Sequence, residues 1–120
     1  MKVLLLEPGQ LAKEADIPHE LSEMQRVVGG TIQAIYPFPE QAAVICNDEG
    51  LLLGLPLNRV IDTGIVVAGI CFICGLGEED FTDLPPDLME RFKERYYWPR
   101  QFIRVNGKLF ALPYDPETRG

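Results

Sequence analysis

The ten residues from Ile65 to Cys74 are the most hydrophobic stretch of the chain, and no fold can leave them uncovered. The run is rich in β-branched side chains, which suit a pleated surface better than a helix. It is therefore expected as one central strand, with Gly69 inside it.

Shorter segments surround it. Residues 2–7 are Leu- and Val-rich and stop at Pro8-Gly9, which predicts a second buried strand. The following residues, up to His19, are polar and predict no element. From Glu20 to Val28 the pattern is helical: Leu21, Met24, Val27 and Val28 share one side, Glu20, Glu23 and Arg26 the other. Gly29-Gly30 end that helix. Thr31 to Phe38 is β-rich and is closed by Pro37 and Pro39. Ala42 to Cys46 is another apolar run, and Asn47-Asp48-Glu49-Gly50 is a hairpin-type turn into Leu51-Leu52-Leu53. Gly54 to Gly64, with Pro56 inside, reads as irregular. Pro85-Pro86 suit the first turn of a second helix, in which Leu88, Phe92 and Tyr96 recur every four residues up to Pro99. Phe102 to Val105, Asn106-Gly107 and Lys108 to Leu112 give the clearest hairpin pattern of the chain. Residues 1–112 are thus expected to form a single α+β domain, and residues 113–120 a loose C-terminal tail. The domain should hold two helices and a largely antiparallel sheet of about five to seven strands.

At 120 residues the chain is long enough for one core, and 47% hydrophobic with 24% charged residues excludes disorder and fibrous repeats. No apolar run approaches the roughly 18 residues that span a bilayer, and the N-terminal apolar run is too short for a signal peptide. A cytoplasmic protein with no membrane partner is expected. The net charge of -7 hides an asymmetry: residues 1–90 hold 4 basic and 15 acidic side chains, residues 91–120 hold 7 and 3. That distribution speaks against non-specific nucleic-acid binding by the whole domain.

Cys71-Phe72-Ile73-Cys74 has redox or zinc spacing, but it lies inside the strongest strand, where side chains three apart point to opposite faces. Cys46, Cys71 and Cys74 therefore read as reduced core thiols, against the alternative of a zinc site completed by His19. No metal and no cofactor are expected. His19 is the only histidine and Ser22 the only serine, with no nucleophile-elbow setting, so a hydroxyl-nucleophile triad is not supported. Glu78, Glu79, Asp80 and Asp83 are explained by favourable interaction with the N-terminus of the second helix.

Two features stand apart. Around the exit of the second helix, Arg91, Lys93, Arg95, Arg100 and Arg104 interleave with Phe92, Tyr96, Tyr97, Trp98 and Phe102. This is either an ordinary amphipathic face or a surface that stacks bases and holds phosphates. Secondly, Asn58 and Arg59 follow Pro56 in a stretch read as a loop, near the Asn47–Gly50 turn. They either hold an anion bidentately or pin the loop through Glu49 or Asp62.

The strings "EPGQ", "MQRVVGGTIQAIYPFPEQAAVICNDEGLLLGLPLNRV" and "VAGICFICGLGEEDFTDLPPDLMERF" resemble the bacterial family filed as domain of unknown function 3846. The resemblance covers most of residues 1–100. It implies no activity, cofactor or catalytic residue, only a setting: a small accessory protein of bacteria, phages and mobile elements. The matching positions include Gly29, Gly30, Asn47, Glu49, Gly50, Pro56, Asn58 and Arg59. The leading expectation is a non-catalytic binding module, possibly homo-oligomeric, for a small anionic or nucleotide-like ligand or a host protein. Its candidate ligand-binding residues are Asn58, Arg59, Asn47, Glu49, Tyr97, Trp98 and Arg100, with no catalytic residue. The alternatives are an acidic interaction factor or DNA mimic, and an uncharacterised enzyme.

Overall fold

The computed structural model describes residues 1–62 and 64–112; the expected tail at 113–120 lies outside the described residues. Strands β1 (Lys2–Leu6), β2 (Lys13–Asp16), β3 (Ile32–Ile35), β4 (Ala42–Asn47), β7 (Cys71–Leu76) and β8 (Phe81–Thr82) make one antiparallel sheet. Its order is β2-β1-β7-β4-β3, with β8 paired to β7. Helix α1 (Leu21–Val28) covers one face. The other is covered by α2 (Pro86–Arg95) and by the hairpin of β5 (Leu57–Ile61) and β6 (Ile65–Ala68). A last hairpin, β9 (Gln101–Val105) and β10 (Lys108–Leu112), forms its own two-stranded sheet. The α+β architecture with two helices is as the sequence predicts.

The three inner strands alternate between the two cores with a period of two, as pleating requires. On β7, Cys71 and Ile73 face α2 while Phe72 and Cys74 face α1. On β4, Val44 and Cys46 share the first face and Ala43 and Ile45 the second. A sheet covered on both sides leaves its inner strands no polar positions, which is why these segments read as unbroken apolar runs.

Five sequence expectations are corrected. The single strand expected from Ile65 to Cys74 is two, β6 and β7. Gly69, at φ 81°, breaks it in a conformation side-chain-bearing residues adopt only at a cost. The segment read as irregular contains β5, because its partner β6 lies across a turn that apolar periodicity does not reveal. Leu51-Leu52-Leu53 is not a strand but an exposed turn. The acids Glu78 to Asp80 occupy the β7–β8 turn, where the Gly77 N–H donates to the Asp80 carbonyl at 2.8 Å, rather than the entry of α2. The polar stretch before His19 also holds an unexpected element, the edge strand β2. Only Ala15 of its four side chains is even half-buried.

Helix starts and turns are more local and come out as expected. Gly29 closes α1, its N–H donating to the Gln25 carbonyl, and Pro86 opens α2. Asn106 and Gly107, at φ 51° and 80°, make the positive-φ pair that a two-residue hairpin turn demands.

Candidate functional site

Asn58 and Arg59 sit on β5, whose register places them beneath the end of α2, and both are buried, at 0% and 1% exposure. The Asn58 Nδ2 donates to the carbonyls of Leu6 and Gly69, both at 2.8 Å. Its Oδ1 accepts from Arg59 Nη1 at 2.9 Å. Arg59 then spends its remaining donors on main-chain oxygens. Nε reaches Tyr96 at 3.1 Å, Nη1 reaches Glu7 at 3.2 Å, and Nη2 reaches Gln10 at 2.6 Å and Tyr97 at 3.5 Å. Every N–H of the guanidinium has a protein partner, and neither Glu49 nor Asp62 is among them.

The arrangement follows from helix electrostatics. The carbonyls of the C-cap Tyr96 and of Tyr97 just beyond it lie at the negative dipole end of α2. A buried cation placed there answers that dipole, and the two carbonyls of the β1–β2 turn complete its shell. Burial lowers the Arg59 pKa below the usual arginine range. Asn47 does a related task for α1: its Nδ2 donates to the Val28 carbonyl at 3.2 Å, while its Oδ1 accepts from the Glu49 N–H at 2.8 Å. Asn47 and Asn58-Arg59 therefore join distant segments of main chain. The signal in the sequence was the presence of polar residues flanked by apolar ones; their partners were not visible there.

The structure separates the sequence-derived candidates. Arg59, Trp98 and Arg100 line one surface cavity of about 280 Å³, together with Val60, Asp62, Gly64, Arg95 and Tyr96. Asn47 and Glu49 line another, of about 370 Å³, beside Leu51, Leu52 and Ile65. Tyr97 points to a third hollow with Glu14 and Lys93, and meets the Trp98 ring edge-on at 5.1 Å between centroids.

The basic–aromatic stripe is divided in the same way. Phe92 and Tyr96 are buried against Phe38, with centroids 4.4 and 6.3 Å away. Arg91 pairs with Glu40 and Lys93 with Glu14, at 2.7 and 3.1 Å. Arg95 pairs with Asp62, whose Oδ1 also accepts from the Tyr96 hydroxyl at 2.9 Å. Arg95 and Asp62, which sequence reasoning did not single out as a pair, thus both line the 280 Å³ cavity. Arg100 Nε and Nη2 donate to the Leu112 and Ala111 carbonyls and so root the last hairpin at the same place. Arg95 pairs with the one carboxylate there, Arg100 lines the same cavity, and Arg59, with its donors taken, lies behind it.

Other chemistry-bearing groups are occupied elsewhere. Cys71 and Cys74 lie on opposite faces of β7, and burial pushes each thiol up to about 12. Burial also raises Cys46, with Asp48 adding to the effect. Thiols held protonated in this way are poor nucleophiles. His19 Nε2 meets the Asp80 carboxylate at 3.2 Å on the exposed surface. No helix among the described residues is long and apolar enough to cross a membrane.

The fold is that of a small antiparallel α+β domain, with one of its polar surface cavities at the exit of α2. The chain belongs to the family described as a domain of unknown function (DUF3846), whose model matches residues 1–97. No curated protein and no solved structure matches the chain. The matched segment ends just after α2, so Trp98, Arg100 and the whole β9–β10 hairpin lie beyond it.

Proposed function

We propose that the protein is a non-catalytic binding module that takes a small anion, or the phosphate end of a nucleotide-like ligand, in the cavity at the exit of α2. The observation that carries this reading is the excess of cations there: Arg59, Arg95 and Arg100 against Asp62 alone. Arg59 neutralises the helix end from behind, which removes the negative potential that would otherwise repel an anion. Arg95 and Arg100 supply the groups that a phosphate or carboxylate engages in pairs, with Asp62 as the internal stand-in that the ligand displaces. Trp98, 44% exposed at the rim, offers a ring face for stacking. A volume of about 280 Å³ suits a small ligand rather than a polymer. The free, buried thiols support a reducing, cytoplasmic setting for an accessory protein of bacterial or phage origin.

Trp98 is the only tryptophan, so its emission reports on the cavity directly. Titration with pyrophosphate, nucleoside mono- and diphosphates and the bare nucleosides is expected to shift that emission for the phosphorylated ligands only. Arg95→Gln should weaken binding at least about tenfold, the loss of one charge-assisted contact. No response to any of these anions at millimolar concentration, or a response indifferent to Arg95→Gln, would remove the proposal.

A further inference from the structure

Exposed apolar side chains are not scattered over this surface. Of the thirteen large hydrophobic residues exposed among the described ones, nine lie in just two places, the Leu51–Leu53 turn with Ile65 and the β9–β10 hairpin. Contiguous exposure of that kind marks an interaction surface. The hairpin pairing is Val105 with Lys108, Ile103 with Phe110 and Gln101 with Leu112, which puts these six side chains on one face. Ile103, Val105, Phe110 and Leu112 on that face are all exposed. An isolated two-stranded hairpin is marginal in water, so such a face needs a cover.

The charges decide what covers it. Residues 100–112 carry Arg100, Arg104 and Lys108 and no acid. The one charge on the apolar face is Lys108, so two such hairpins stacked face to face would bring two lysines together with no acid to meet them. The leucine turn is the complement: Leu52 is 85% exposed and, with Leu51 and Ile65, borders the 370 Å³ cavity, whose rim carries the exposed acids Asp48 and Glu49. One patch is apolar and basic, the other apolar and acidic. Both are exposed on the same chain, so a chain's own hairpin leaves its own leucine turn open.

We infer that the β9–β10 hairpin docks on the leucine turn of a second copy of this chain, with Phe110 entering the cavity beside Leu52 and Lys108 meeting Asp48 and Glu49. The contact joins different patches on the two copies and is therefore head-to-tail, giving a ring if it closes and a chain if it does not. It is independent of the anion site, whose lining residues it does not use for contact.

Sedimentation of the full-length protein from low to high micromolar concentration tests this. The wild-type mass should rise with concentration, and the rise should weaken in high salt. Phe110→Ser and Leu52→Ser should each stay at the mass of one chain with an unchanged circular dichroism spectrum. An equimolar mixture of these two variants should associate again but stop at two chains, because each pair retains one intact contact. The inference is overturned by a wild type that stays monomeric, by association that survives either substitution, or by a mixture that remains monomeric. It is equally overturned if ending the chain after Leu112 converts a monomer into an assembly, for then residues 113–120 cover the face.

Discussion

The region beneath the end of α2 and the hairpin that leaves it invert the usual rule of burial. Under the helix, Asn58 and Arg59 are polar and wholly buried; a few residues beyond, Ile103, Val105, Phe110 and Leu112 are apolar and exposed. In the first region the burial of a cation is tolerable because every donor finds an oxygen, four of them main-chain carbonyls. In the second, the two strands pair only with each other, and the fold supplies no packing partner to the side chains of one face. The comparison teaches that burial here follows from partners rather than from polarity. Arg59 is inside because the fold supplies carbonyls, and Phe110 is outside because the fold supplies no wall.

The sharpest way to break the comparison is to remove the guanidinium. Arg59→Met keeps the length and apolar stem but leaves the Tyr96 and Gln10 carbonyls and the Asn58 Oδ1 without the guanidinium, while the Glu7 and Tyr97 carbonyls keep the N–H groups of Gln10 and Ala12. The expected loss is about 2–4 kcal/mol, a large part of the roughly 5–15 kcal/mol available to a domain. Urea unfolding measures it. A loss under about 1 kcal/mol would mean that water replaces the guanidinium and that the clasp is dispensable.

That clasp also marks the limit of what the sequence made legible. Asn58 and Arg59 could be singled out as polar residues without a turn to explain them, but apart from each other and Gly69, 11 positions on, the main-chain partners described for them lie 37 to 52 positions away in the chain. No local pattern encodes contacts of that range. The Asn106-Gly107 turn, the α1 terminus at Gly29 and the two faces of Cys71 and Cys74 were legible because each depends on dihedral preference or pleating within a few residues. The division at Gly69 was half visible: the glycine was there, but its φ of 81° is imposed by the β5–β6 hairpin folding back, with the Gly69 N–H donating to the Pro56 carbonyl at 2.7 Å. Strand β2 left no trace, since an edge strand with one half-buried side chain has no apolar alternation to read. For the candidate cavity, Arg59, Trp98 and Arg100 were named in advance, whereas Arg95 and Asp62 meet only once β5 is laid against the end of α2.

A second, smaller effect sharpens the view of the buried region through its titrating groups. Cys71 and Cys74 have their thiols raised from 9.0 to about 12 by burial, and Tyr96 is raised from 10.0 to about 12 by burial and its hydrogen bond to Asp62. In each case the unfolded chain loses the proton first as pH rises. Stability is therefore fully present below pH 9 and falls between pH 9 and about 12. For the fully buried Cys71 the slope is about 1.4 kcal/mol per pH unit once the unfolded thiol has ionised. Urea midpoints across that range should fall for the wild type and less steeply for Cys71→Ala. A flat profile would show that these thiols are hydrated in the folded protein.

The smallest expected effect falls on the hairpin, and its smallness is the point. Ile103→Ser changes an apolar β-branched residue to a polar one at a position 43% exposed, whereas truncating a core isoleucine costs about 2–5 kcal/mol. At chain concentrations low enough to keep the protein monomeric, Ile103→Ser should shift unfolding by less than about 1 kcal/mol. Only part of the side chain is removed from water there, and the loss of that burial and of β propensity is partly offset by better hydration of the serine. A substantially larger loss would mean that Ile103 is buried within its own chain, and the contrast between helix underside and hairpin would collapse. A small loss leaves apolar side chains that do almost nothing for the monomer, and that is the property expected of residues whose partner is another molecule.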